Sequence, residues 1–76
     1  MYTFGIYCFI NGRLRWQTES VKGFPTRAAA IEGARLQAKN AGPLMGKDYE
    51  ETESGARIWY TNESGERVFQ SYSLIY

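Results

Sequence analysis

Residues 2–10 form a segment that is apolar on both sides of an extended strand. Tyr2, Phe4, Ile6, Cys8 and Ile10 alternate to one side; Tyr7 and Phe9 fall on the other, with Gly5 between Thr3 and Tyr7. A chain of 76 residues is one domain and buries only about 60% of its unfolded surface. It has enough helix to cover one face of a sheet. The second apolar face must then meet a partner or stay wet.

The register of this strand follows from what comes next. Asn11-Gly12 separates it from Arg13–Ser20, and Asn-Gly between two such runs favours a type I′ hairpin turn, because both central residues need positive φ. A two-residue loop sets Ile10 against Arg13, Phe9 against Leu14, Cys8 against Arg15, Tyr7 against Trp16 and Ile6 against Gln17. One face then carries Gly5, Tyr7, Phe9, Leu14, Trp16 and Thr18, which reads as a core face. The other carries Phe4, Ile6, Cys8 and Ile10 beside Arg13, Arg15, Gln17 and Glu19. A closed core would not accept those charges, so the second face is expected to be open. A slip of one residue would exchange the two.

Phe24-Pro25-Thr26 precedes a helix expected over residues 27–41. Thr26 is a good N-cap, and Gly42-Pro43 is a stop signal. Ala30, Ile31, Ala34, Ala38 and Ala41 share one side of that helix, and a stripe of methyl groups can approach a sheet of large residues closely. Ala29, Gly33 and Leu36 lie on the outer side. Residues 49–53 read as a short acidic edge strand, and residues 56–61 and 66–75 as two further strands joined by the turn Asn62-Glu63-Ser64-Gly65. The fold class is therefore α+β: one antiparallel sheet of four to five strands, ββαββ, with a single helix on one face and a single domain over residues 1–76.

Composition narrows the chemistry. There is no His, which removes the commonest general base and the commonest metal ligand. The one Cys excludes an internal disulfide and the multi-cysteine zinc patterns, and fits a reducing compartment. Cys8 has no His partner, Arg15 opposite it is too basic to take a proton, and the thiol reads as a small buried or interfacial residue. The acidic residues Asp48, Glu50, Glu51 and Glu53 read as a solvated edge strand rather than a catalytic pair. No phosphate-binding loop motif occurs. These features lead to the expectation of no catalytic residue, no cofactor and no bound metal. No apolar run approaches the ~20 residues of a membrane span, and no signal peptide is read, so the expected setting is the cytoplasm, away from membranes.

Two partner classes remain. A formal net charge of +1 is low for a dedicated nucleic-acid binder. Still, Arg13 and Arg15 beside Phe4 and Ile6, and Arg57 beside Trp59 and Tyr60, resemble the aromatic and arginine pairings of single-strand binders. The favoured reading is a protein partner, docked on Phe4, Ile6 and Ile10 with Arg13 and Arg15 at the margin. A homodimer through the same face is compatible with both. Ile75 and Tyr76 are the candidates for an intramolecular cover over it.

The stretch from Trp16 to Ala38, with Lys22-Gly23-Phe24-Pro25-Thr26-Arg27-Ala28-Ala29-Ala30, resembles small proteins of phages and mobile elements, in which a hairpin ends in a Gly-Phe-x-[Ser/Thr] step into an Ala-rich helix. It also resembles the repeat unit of a bacterial family of unknown function with ββαβ units. In size and build the chain resembles anti-CRISPR proteins. That resemblance implies a non-enzymatic inhibitor that docks on a host effector complex, and it carries over no functional residue.

Overall fold

The computed structural model describes residues 1–75. Asn11 and Gly12 stand at φ 51° and 81°, the positive pair of a type I′ turn, and they join β1 (Phe4–Ile10) to β2 (Arg13–Glu19). After α1 (Arg27–Asn40) come β3 (Asp48–Thr52), β4 (Gly55–Thr61) and β5 (Arg67–Leu74). All five strands form one antiparallel sheet in the order β2-β1-β5-β4-β3. The α+β class is as expected, and the acidic segment is a strand, β3, so the sheet has five strands and the expected ββαββ order is extended to ββαβββ. No helix among the described residues is long and apolar enough to cross a membrane.

The helix forms where its signals lie. Thr26 is extended and its Oγ1 accepts the Ala29 amide at 3.0 Å, which satisfies one of the donors left free at a helix start. Past the last turn Gly42 adopts φ +74°. Lys47 folds back onto the same end, its Nζ donating to the carbonyls of Lys39 and Ala41 at 2.6 Å each. A positive charge is favourable there. Ala30, Ala34 and Ala38 are fully buried, as the methyl stripe requires.

Two expectations about the sheet are corrected. First, β2 contains an extra residue. Phe9 pairs with Leu14, but Cys8 pairs with Trp16, so Arg15 forms a bulge and every later residue of β2 changes face. Second, the helix lies on the opposite side from the one expected. Phe4, Ile6 and Cys8 are 2%, 6% and 3% exposed, and Phe4 and Ile6 form one cluster with Ala34, Ala38, Ala56, Ile58 and Tyr72. The reason is strand order. β1 is an interior strand between β2 and β5, and β5 pairs on its far side with β4. Phe4, Ile6 and Cys8 align through Leu74, Tyr72 and Gln70 with Ala56 and Ile58. The other side of β4 and β5 carries Arg57, Ser71 and Ser73 beside Trp59 and Phe69, a more polar set than Ala56, Ile58, Val68 and Tyr72 and a costlier one to desolvate beneath an alanine-faced helix.

Two residues, Phe24 and Arg35, tie the layers together. Phe24 makes a two-way backbone bridge to Tyr2 (2.9 and 2.8 Å), and its ring packs on Phe4 with centroids 5.9 Å apart. The ring also fills the space above Gly33, where a Cβ would stand 2.6 Å from Phe24 Cζ. Arg35 reaches from α1 to the β3–β4 turn, with Nε donating to the Gly55 carbonyl at 3.1 Å and Nη2 to the Thr52 carbonyl at 2.8 Å. Within the core, the buried Tyr72 hydroxyl donates to Gln70 Oε1, and Gln70 Nε2 faces Cys8 Sγ at 3.8 Å. Burial pushes the Tyr72 phenol up to about 12.

Candidate functional site

The residues expected to bind a partner do not form one surface. Phe4 and Ile6 lie in the core and are unavailable to a ligand. Ile10 is half-buried at the end of β1, between Arg13 and Val68 on the helix side. Arg13 and Arg15 are exposed on β2, an edge strand whose seven residues are all exposed. An apolar centre bordered by these arginines is therefore absent. Cys8 is buried against Gln70 and does not meet solvent as a nucleophile.

The apolar surface left open is the side of the sheet facing away from α1. Direct cross-strand partners share a face, so the pairings draw its map. One row crosses four strands: Leu14 on β2, Phe9 on β1, Phe69 on β5 and Trp59 on β4. Phe9 and Phe69 have ring centroids 5.7 Å apart, and Phe69 and Trp59 5.4 Å, with planes inclined by 40° and 41°. These are favourable tilted ring pairs. Leu14 is 51% exposed, and the three rings are half-buried. The next row holds Gln17, Tyr7, Ser71, Arg57 and Glu50. Ile75 covers one corner, because a Cβ on Gly5 would meet its Cδ1 at 2.9 Å. Tyr76, the other expected cover, lies outside the described residues.

Charge borders this face. Arg57 Nε donates to Glu50 Oε1 at 2.8 Å, and its guanidinium carbon stands 5.8 Å from the Trp59 ring centroid. Asp48 pairs with Trp59 and extends the aromatic row to the β3 edge. The expected Arg57–Trp59 neighbourhood is thus present, whereas Tyr60 faces the helix side. Among the described residues no group of three or more His, Cys, Asp or Glu side chains is placed to hold a metal ion.

A second concavity, of about 470 Å³, lies beside α1 and includes Phe24, Leu36, Val21 and Gln37. Leu36 and Val21 are well exposed, so this groove is apolar but shallow. It contains the Gly33 and Leu36 side of the helix that stood out in the sequence.

Phe69 was missed as a site residue, and Phe9 was placed in the core. Their signal was available in β5, where Phe69 is the one large apolar residue in a set otherwise made of Arg67, Ser71 and Ser73. Comparison with known proteins adds no family: no protein-family model matches the chain, and no curated protein or solved structure shows significant similarity to it.

Proposed function

We propose that the protein is a non-enzymatic binding protein that docks a protein partner on the helix-free face of its sheet. The observation carrying this reading is the row Leu14–Phe9–Phe69–Trp59, an apolar strip across four strands with an ionic margin. Aromatic anchors inside a polar rim are the usual composition of a protein-binding centre. Desolvation of the rings supplies affinity, and Arg57, Glu50 and Asp48 supply orientation. The resemblance in size and build to anti-CRISPR proteins suggests the kind of partner, a host effector complex. A phage-type inhibitor of that kind would act in the host cytoplasm.

The alternative is a single-stranded nucleic acid stacked on the same rings. Arg57 beside Trp59 favours it. Three features weigh the other way: Arg57 is paired with Glu50, Asp48 borders the rings, and the rings are inclined against one another rather than laid flat as platforms. The test is affinity capture from host lysate with the wild type and with Trp59→Thr and Phe69→Thr, each checked for folding by circular dichroism. Thr keeps strand propensity while removing the ring. A protein retained by the wild type and lost by both variants supports the proposal. Retained nucleic acid whose binding falls steeply with salt supports the alternative. Equal retention by all three proteins rejects the face as the site.

A further inference from the structure

We propose that the loop of residues 42–46 is a second anchor for the same protein partner, carrying Leu44 and Met45 into an apolar socket bordered by Lys or Arg on that partner. The inference rests on the reading of the helix-free face as the docking surface and adds a contact outside the sheet. Leu44 is fully exposed and Met45 is 86% exposed, so neither contributes to the core. Single exposed apolar residues are ordinary; two large ones in succession at the tip of a braced loop call for a use.

The loop is fixed at both ends. Gly42 and Gly46 adopt φ +74° and +78°, and the ring of Pro43 locks its own φ. Gly42 lies against Tyr60, where a Cβ would stand 2.9 Å from Cε1. On the return side Lys47 Nζ is tied to the carbonyls of Lys39 and Ala41. An apolar tip held in one conformation loses little freedom on binding, which makes a short segment an effective anchor.

The tip stands next to the aromatic row. Asp48 pairs with Trp59 at the end of that row, and Met45 precedes Asp48 by three residues, so chain reach keeps their Cα atoms within about 11 Å. A partner that covers the row to its β3 end is therefore within reach of the loop. Charge identifies that partner. Residues 47–53 hold four carboxylates and one Lys. Glu50 and Glu51 are matched by Arg57 and Arg35, whereas Asp48 and Glu53 make no ion pair among the described residues. Such a flank repels an anionic lipid surface and a nucleic acid, and aliphatic side chains offer a base no ring to stack on. It suits a protein whose apolar socket has basic side chains at its border.

The test is site-specific photo-cross-linking in host lysate, with p-benzoylphenylalanine replacing Met45 in one protein and Leu14, at the far end of the row, in another. One polypeptide joined to both positions, with the Met45 adduct falling about tenfold in Leu44→Ser and several-fold in Asp48→Lys, supports the proposal. Leu44→Ser should leave Tm unchanged, and a lowered Tm overturns the anchor by placing Leu44 in the fold. An adduct at position 14 without one at position 45 overturns the anchor and leaves the docking face intact. Different polypeptides at the two positions overturn the shared partner. No adduct at position 14 rejects the docking face, and the proposal falls with it. Flotation of the chain with vesicles of phosphatidylcholine and phosphatidylserine, lost in Leu44→Ser, overturns the protein socket in favour of a lipid surface.

Discussion

The side of the sheet that holds the core is decided by comparing Ile6→Ala with Leu14→Ala. Ile6 is 6% exposed and belongs to the cluster beneath Ala34 and Ala38, whereas Leu14 is 51% exposed on the opposite face. Replacing Ile by Ala removes three carbons at about 0.8 kcal/mol each, roughly 2.4 kcal/mol of transfer free energy. A fully buried alanine stripe cannot move in to refill the space, so a cavity term brings the cost to about 3–4 kcal/mol. Leu14 loses the same number of carbons, but half of that surface is already wet, and its cost stays below ~1 kcal/mol. For a domain whose whole stability is of order 5 kcal/mol, Ile6→Ala lowers Tm by roughly 15–25 °C and Leu14→Ala by only a few degrees. The assay is urea and thermal unfolding followed by far-ultraviolet circular dichroism. Equal costs, or a greater cost for Leu14→Ala, would refute the placement of the core.

Two further outcomes follow from particular contacts. Gly33→Ala gains about 1 kcal/mol of helix propensity but drives its methyl into the Phe24 ring, so a net loss of stability is expected, and the same change in a Phe24→Leu background should be neutral or stabilising. The Tyr72 phenol ionises at about pH 12 when folded and near 10 when unfolded, so between these values the unfolded chain releases the proton first. Stability is therefore full below pH 10 and falls as pH rises towards 12. Urea melts should show Tyr72→Phe with a shallower alkaline loss than the wild type, the remainder belonging to Tyr49 and Tyr60, which burial also raises. An identical slope in both proteins would exclude Tyr72 as the source.

Local chemistry was readable residue by residue. Asn11-Gly12 needed two positive φ angles and has them, Thr26 caps the helix, Gly65 turns the β4–β5 connection at φ 79°, and the alanine spacing places Ala30, Ala34 and Ala38 inside. What escaped was long-range. The bulge at Arg15 has no signature in Leu-Arg-Trp-Gln, and one extra residue is enough to reverse the sides of Trp16, Gln17 and Thr18. The side taken by the helix depended on which strands flank β1, and no hairpin rule supplies that. Leu14 and Trp16 looked like core because they are large, yet β2 ended at the edge, beyond the reach of α1. The serines of β5 held the missing information. Ser71 and Ser73 alternate with Val68, Gln70 and Tyr72, and read together with Arg57 against Ile58 they mark the side that stays wet.

Among the described residues α1 touches every strand except β2, which is joined to the rest of the sheet through β1 alone. Native-state opening should therefore begin there, with the amides of residues 13–19 exchanging with solvent long before those of β5. Each such excursion bares the flank of β1 for an instant, and the β2 strand of a neighbouring molecule pairing there at that moment would yield an exchanged pair in place of two closed chains.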